Sequence, residues 1–378
     1  HFRAPAALRP FDDGQGFEIA FDLRQLEDTA KLAGELQHLV TLQAQGGTES
    51  QGGVTLGDFA PYSQNQAVRG FVLAYWKDLS GWMRASGEDY RKSIGGSPDE
   101  YPEFVDQMAD EFLEQLKRTR SPKPAFVNIG AAGADHVRMF LDKLRERADA
   151  EGVSHVLKKA RYVLADISED PLKAARRQLG ESYRGIRVDY VTDADVTRPD
   201  RLKAHRDREG YDILHVHITN VYDLLANDKI ARMNGQYYQI EGRAYVPEDD
   251  LRSLADEFGL DLEALRADLA AIPRTGVQPM LDKYKKRLGD GRVDRAYYAF
   301  WEKLWKRVRL EERYRKLDLK RHRFLEHPRI QEPGAVIQAL MERDYPKNVW
   351  IHLPIGAARA TLALMDLIHP EEGRVNVT

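Results

Sequence analysis

The chain has 378 residues, of which 42% are apolar and 31% are charged, and its formal net charge is -3. A chain of this size can bury one large core or two to three smaller ones, and its near-neutral charge gives no global sign of a nucleic-acid or anionic-membrane partner. The chain has no cysteine, which excludes disulfides, thiol catalysis and cysteine-ligated zinc, and no apolar run approaches the roughly 20 residues of a membrane span.

Residues 1–120 are predicted to form an N-terminal segment that is largely helical and caps the rest of the chain. Residues 43–53 are rich in Gln, Gly, Ser and Thr, which indicates a loop. Apolar residues recur three or four positions apart over 66–83 and 100–118, and this period predicts two helices.

Short apolar runs alternate with helical patterns between residues 121 and 247. Strands are predicted at 125–129, 161–165, 186–191 and 212–218, and helices at 134–147 and 171–179. This alternation is typical of a parallel sheet with crossover helices, so we expect an α/β, Rossmann-like core.

The alternation of strands and helices stops at residues 248–347, whose pattern is helical and highly charged. These residues are predicted to form a large helical insertion that contributes to the acceptor or partner site. Residues 348–378 then predict a return to the core, with a helix over 357–368 and a fifth strand over 374–377. The apolar run 350–353 comes too early for the fifth strand, because that helix still follows it. A sheet that ended at this fifth strand would leave a row of unpaired backbone groups at its edge, so we expect this domain to be incomplete as given, or its edge to be covered by another chain or segment.

The strongest local motif is the segment 126–135, in which a predicted strand runs into a turn of small residues and then a helix. Small residues allow close approach of a ligand to the backbone, and a helix N-terminus offers free N–H groups. A purely structural turn between strand and helix explains the segment equally well.

Acidic residues follow the next two predicted strands. Asp166 ends the second strand, where a carboxylate can accept both ribose hydroxyls of an adenine nucleoside, although it could also cap the next helix. Asp193 and Asp195 follow the third strand, where an acid can reach an adenine amino group or simply face solvent.

This series resembles that of class I S-adenosylmethionine (SAM) methyltransferases, and the continuation 166–172 is similar to their D-x-S-x-x-x-L form. An NAD dehydrogenase is disfavoured because the chain lacks a complete G-x-G-x-x-G.

The chain also resembles the MidA-like family, which includes mitochondrial complex I assembly factors that methylate arginine. The resemblance covers roughly residues 54–245 and rests on Gly57-Asp58-Phe59, on Gly70, on 220–223 after the fourth strand, and on the following segment 235–241. The chain departs from the family where Asn128 and Val221 replace Glu and where Ala132 and Ala134 replace Gly.

The resemblance implies SAM as cofactor, S-adenosylhomocysteine (SAH) as product and a protein side chain, arginine, as acceptor. The cofactor contacts it implies are Asn128, Gly130, Ala132, Gly133, Asp166, Ile167, Asp195 and Tyr62. The catalytic candidates are Asn220, Tyr222 and Asp223. Asn220 could orient an amine or guanidinium, Asp223 could pair with a cationic substrate, and Tyr62 could close over the methionine end of SAM. Core packing for Tyr222 and helix capping for Asp223 are equally good explanations.

His215 and His217 lie two apart on the fourth strand and therefore face the same side. Because no third ligand is evident, we favour a buried, hydrogen-bonded pair over a metal site.

Basic and aromatic residues crowd the stretch 297–323, a composition used in RNA binding. We favour a long amphipathic helix instead. Residues 251–269 have helix-turn-helix spacing, but Glu263 and Asp268 on the second helix would repel phosphates.

The leading prediction is therefore a cytoplasmic SAM-dependent methyltransferase with a protein side chain as acceptor. The alternatives are a small-molecule or RNA methyltransferase on the same scaffold and a non-catalytic SAM-fold binding or assembly protein. Expected partners are a protein or small-molecule acceptor, with nucleic acid less favoured, no membrane, and a homo-oligomer left open.

Overall fold

The computed structural model of the chain describes residues 6–10, 17–21, 53–87, 102–130, 134–218, 221–233, 235–319, 332–344 and 349–377, together with Ala33, Gly34, Gln37 and His322. The chain forms two compact units. Unit 1 comprises His1–Tyr75 and Ala226–Ile355, and unit 2 comprises Trp76–Leu225 and Gly356–Thr378. Most of the predicted loop at 43–53 lies outside the described residues.

The strands, in chain order, are β1 (Ala6–Pro10), β2 (Phe17–Phe21), β3 (Gly53–Thr55), β4 (Ala60–Pro61), β5 (Pro124–Ile129), β6 (Arg161–Ala165), β7 (Ser182–Tyr183), β8 (Ile186–Val191), β9 (Asp212–Ile218), β10 (Asp228–Met233), β11 (Gln236–Pro247), β12 (Arg309–Lys316), β13 (Val349–Leu353) and β14 (Arg374–Val377). The helices are α1 (Gln66–Lys77), α2 (Leu79–Ser86), α3 (Pro102–Arg118), α4 (Ala134–Ala150), α5 (Glu169–Leu179), α6 (Asp200–Glu209), α7 (Glu248–Glu257), α8 (Leu262–Thr275), α9 (Gln278–Leu288), α10 (Arg295–Arg307), α11 (Pro333–Asp344) and α12 (Ile355–Met365). No helix in these ranges is both long and apolar enough to cross a membrane.

Unit 2 is built on a sheet with the strand order β14-β9-β5-β6-β8-β7. Neighbouring strands run parallel except for the short β7, which is antiparallel to β8. The predicted Rossmann-like parallel sheet is therefore confirmed, with Arg374–Val377 beside β9 as the fifth strand. Strand β5 lies between β6 and the later β9, so the order of strand addition reverses there. Open α/β sheets bind ligands at the carboxyl ends of strands at such a reversal.

Apolar layers cover both faces of this sheet, which explains why its strands are nearly continuous apolar runs. Helices α3, α4 and α5 pack on one face, around Phe112, Phe126 and Phe140. Helices α6 and α12 pack on the other face, against Val127, Val163 and other side chains that alternate with the first set. The two layers fix the strand ends whose loops carry the candidate site.

Unit 1 contains a second, antiparallel sheet of order β12-β11-β10-β13, with β3 and β4 also paired to β11. Strand β13 pairs with β10, so the apolar run 350–353 belongs to this sheet and not to the parallel one. Helix α11 packs Met341 against a small core with Ile230 and Leu317.

The prediction of one long helix over 297–323 is wrong beyond Arg307. Helix α10 ends at Arg307, and the strand β12 follows from Arg309 to Lys316. This strand joins the second sheet and not the parallel one, so the predicted insertion is not wholly helical. Opposite charges on β11 and β12 lie directly across from each other, including Glu241 opposite Arg313, and such cross-strand pairs stabilise a strand that has little apolar periodicity of its own.

The N-terminal segment also differs from the predicted helical cap. It contains the strands β1 to β4, of which β3 and β4 span only three and two residues and give no periodic signal. The predicted helix over 66–83 is two helices, because Asp78 leaves helical geometry with φ -111° and ψ 23°. The boundaries of the two units fall at 75, 225 and 355, whereas the predicted divisions fall at 120, 247 and 347.

Candidate nucleoside site at the carboxyl ends of the parallel strands

The turn after β5 is held close to the next strand. Gly130 has a φ of +78°, a left-handed conformation that glycine adopts without steric cost, and its N–H donates to the carbonyl of Ala165 at 3.0 Å. Helix α4 begins at Ala134, so its N-terminal N–H groups follow the turn directly. Ala132 and Gly133 lie outside the described residues, and their predicted cofactor contacts stay predictions.

Asn128 lies one residue before the end of β5 and is 2% exposed. Its amide donates to the hydroxyl of Tyr162 at 3.0 Å. Its Oδ1 is buried and accepts no hydrogen bond from the residues that the structure describes. A buried acceptor of this kind costs about 1–3 kcal/mol when it is left unsatisfied, so it suits a ligand that brings a donor.

Asp166 lies immediately beyond β6. One carboxylate oxygen accepts from the N–H of Ser168 at 2.8 Å, and the N–H of Ile167 also contributes to this turn. Burial raises the pKa of Asp166 to about 6, against the opposing effect of these two N–H groups. A partly buried carboxylate with a raised pKa is typical of a binding site, because hydrogen-bond donors on a ligand would stabilise its charged form.

The loop after β8 is tied to the loop after β6. The N–H of Ala194 donates to the carbonyl of Asp166 at 3.1 Å. Asp195 accepts from the N–H and the hydroxyl of Thr197 at 2.8 and 2.7 Å. Asp195 therefore starts a local turn, and its predicted contact with a cofactor stays a prediction.

Asp193, in contrast, is exposed and has a φ of +54°. This left-handed conformation is uncommon for residues other than glycine, and such residues cluster at functional sites. Its Oδ1 pairs with the ammonium of Lys77 at 2.9 Å. The carbonyl of Lys77 accepts from the hydroxyl of Ser168 at 3.0 Å. Lys77 thus contacts the loops after both β6 and β8. Sequence reasoning missed it, because no local motif marks a residue that meets its partner across 116 positions of chain.

The three catalytic candidates after β9 are only partly described. Asn220 and the side chain of Asp223 lie outside the described residues. Tyr222 lies in a single-turn helix, Tyr222–Leu224, and packs against the apolar layer of α12. Its hydroxyl is 2.8 Å from that of Thr361, which itself donates to the carbonyl of Ala357, so the Tyr222 hydroxyl is the donor. Burial raises the pKa of Tyr222, so its hydroxyl stays protonated at neutral pH and is not available as a base.

The two histidines of β9 lie on the α3 and α4 face of the sheet. His215 is buried between Gln115 at 3.3 Å from Nδ1 and Asn376 at 3.1 Å from Nε2. The carbonyl of Gln115 can only accept, so Nδ1 of His215 carries the proton. Burial lowers the pKa of His215 to about 4 and that of His217 to about 3, so both are neutral at physiological pH. Among the described residues no group of three His, Asp or Glu could hold a metal ion.

Tyr62 belongs to unit 1. Its hydroxyl donates to Glu312, and the ammonium of Lys229 lies 3.1 Å from that hydroxyl and 4.4 Å from the centre of the ring. Burial, followed by the charge of Glu312, raises the pKa of Tyr62. Its predicted closure over the methionine end of SAM stays a prediction.

Three side chains of unit 2 carry acceptor oxygens of the kind that an adenosyl amino acid requires. The carboxylate of Asp166 suits the two ribose hydroxyls, the carboxylate of Asp193 suits an amino group, and the buried Oδ1 of Asn128 suits an ammonium group. Gly130 has a left-handed conformation at the point where the strand order reverses.

No family model and no curated protein match the chain. Among solved structures, it is similar to an uncharacterized COG1565 superfamily protein from Burkholderia thailandensis, with 18% identity, a TM-score of 0.31 and coverage of 63% of this chain and 53% of the other. It is also similar to a COG1565 superfamily member from the same organism, a candidate methyl transferase bound to S-adenosyl-homocysteine. That match has 19% identity, a TM-score of 0.31 and coverage of 58% of this chain and 47% of the other. The chain thus spans about half the length of each of these proteins.

Proposed function

We propose that the chain is a SAM-dependent methyltransferase whose nucleoside site lies on the loops after β5, β6 and β8. The observation that carries the proposal is Asp166, a partly buried carboxylate at the tip of the strand next to the strand-order reversal. A second acid, Asp193, lies on the adjoining loop, which is joined to the first by the Ala194–Asp166 hydrogen bond.

In this proposal each residue of unit 2 has a separate task. Asp166 accepts the ribose hydroxyls, and the Oδ1 of Asn128 accepts from the ammonium of the methionine part. The N-terminus of α4, which begins at Ala134, offers backbone N–H groups to the carboxylate of the methionine part. When bound, SAM supplies an electrophilic methyl group on a sulfonium, and the chain has to hold the acceptor in line with it.

The acceptor that we propose is a protein side chain, arginine, by the family resemblance. A neutral nucleophile is required for in-line transfer, so a residue near the acceptor has to orient it or take up a proton. Asn220 and Asp223 stay the proposed residues for this task. Tyr222 suits it less, because its hydroxyl already donates to Thr361 and its pKa is raised.

A non-catalytic SAM-fold binding protein is the second candidate. It is favoured by Val221, which stands where the family has Glu, and by the engaged hydroxyl of Tyr222. Both candidates bind SAH, and only the first transfers a methyl group.

A methyl-transfer assay distinguishes the two. The purified protein is incubated with methyl-labelled SAM and cell lysate, and the label is then counted in protein, RNA and small-molecule fractions. We expect label in the protein fraction, on arginine after hydrolysis, and its loss with Asp166→Asn. Label in the RNA or small-molecule fraction would assign another acceptor. SAH binding without transfer in any fraction would favour the binding protein.

A further inference from the structure

We propose that Lys77 is a positioning residue that makes the nucleoside site selective for a 6-aminopurine. The inference rests on the proposed function and assigns a role to a residue outside the motif series. It concerns the contact between Lys77 and Asp193, and both residues belong to unit 2.

Lys77 joins the two loops that carry the candidate acids. Its carbonyl accepts from Ser168, two residues after Asp166, and its ammonium pairs with Asp193 Oδ1 at 2.9 Å. The neighbouring helix α2 is close to the same region, where Arg84 lies 3.8 Å from Asp170. Lys77, the last residue of α1, therefore binds the loop after β6 and the loop after β8 at the point where these loops meet.

The ion pair with Lys77 engages only one of the two carboxylate oxygens of Asp193. Lys77 contacts Oδ1, and no described residue donates a hydrogen bond to Oδ2. The left-handed backbone of Asp193 and the Ala194–Asp166 hydrogen bond fix the direction of the loop. Lys77 then fixes the rotamer of Asp193 through Oδ1, so that Oδ2 is held in place as an acceptor.

An acceptor held in this way discriminates between purines by the group at position 6. The 6-amino group of adenine donates a hydrogen bond, whereas the 6-oxo group of hypoxanthine places an acceptor against a carboxylate. A repulsive contact with the wrong ligand adds to the attraction for the right one. Because both side chains are about half exposed, at 44% and 54%, the pair itself contributes little to stability, so its expected effect is on ligand choice.

The test compares the affinities of SAH and S-inosylhomocysteine, in which the 6-amino group is replaced by 6-oxo, by calorimetry. Both ligands lack the sulfonium and carry the same ammonium and carboxylate, so any charge–charge effect of losing a lysine cancels in the ratio of their affinities. We expect the wild type to prefer SAH by about tenfold or more, as for a hydrogen bond to a charged group. Lys77→Met should reduce that preference to about threefold or less, and Lys77→Arg should retain it.

Arg84→Met is the matched control, since it removes another cation from the same segment, and its preference should equal that of the wild type. Asp193→Asn should lose most of the preference, because an amide offers both an acceptor and a donor. Equal weakening of both ligands by Lys77→Met, or an unchanged ratio, would overturn the inference while leaving SAH binding intact. Failure of the wild type to bind SAH would overturn this inference and the proposed function together.

Discussion

Replacing Asp166 with asparagine is expected to weaken SAH binding by about tenfold to a hundredfold and, at the same time, to stabilise the ligand-free protein at neutral pH. The loss of affinity follows from the charge-assisted hydrogen bonds that ribose hydroxyls make to a carboxylate. The gain in stability follows from the pKa of Asp166, which burial raises from the ordinary range of an aspartate to about 6.

A carboxyl group whose pKa is raised on folding stabilises the folded protein when it is protonated, and that contribution is lost as the pH rises through the folded pKa. At pH 7 the ionised Asp166 therefore costs stability. Raising the pKa of a carboxyl group from about 3.9 to about 6 corresponds to about 3 kcal/mol, which is an upper value for a partly exposed group. Urea unfolding should show Asp166→Asn more stable than wild type at pH 7.5, with the difference shrinking toward pH 4. Unchanged SAH affinity, measured by calorimetry, would remove Asp166 from the site.

The second large effect is expected in unit 1, where Arg243→Ala should lower the free energy of unfolding by about 3–5 kcal/mol. Arg243 and Glu311 are both buried, and the guanidinium donates to the carboxylate at 3.0 and 2.6 Å. The guanidinium also lies 4.4 Å from the ring centre of Phe59. Removing it leaves the buried Glu311 carboxylate without that counter-charge.

Arg266→Ala is the control, because the Arg266–Glu248 pair has a similar distance of 2.6 Å but lies at the surface, with side-chain exposures of 34% and 24%. It should cost no more than about 1 kcal/mol. Replacing both members of the buried pair, with Arg243→Met and Glu311→Met together, should recover part of the loss, because no buried charge is then left alone. Equal effects of Arg243→Ala and Arg266→Ala in urea unfolding would contradict this account of the buried pair.

The parallel sheet could be predicted because its strands are short apolar runs that end in glycine or aspartate. Burial on both faces produces those runs, and the loops after them place Gly130 and Asp166 at one edge of the sheet. The sequence therefore locates these two residues without any knowledge of long-range contacts.

Strand β12 and Lys77 could not be predicted in the same way. The run Arg309–Lys316 is dominated by charged residues, a composition that favours the exposed face of a helix. In the structure it is a strand, and two of its charged residues lie opposite residues of opposite charge on β11. Lys77 meets Asp193 through the tertiary fold alone. Contacts that depend on distant partners leave no period or motif in the local sequence.

Hydrogen exchange with and without SAH, followed by mass spectrometry, tests the central claim most directly, because it locates the ligand on the chain and needs no knowledge of the acceptor. Slower amide exchange on SAH addition is expected in peptides that cover 127–136, 164–170 and 191–197, which carry the turn after β5 and the loops after β6 and β8. The effect should be clearly smaller with Asp166→Asn at an SAH concentration that just saturates the wild type. SAH-dependent protection confined to other parts of the chain, or no protection at all under saturating SAH, would contradict the account.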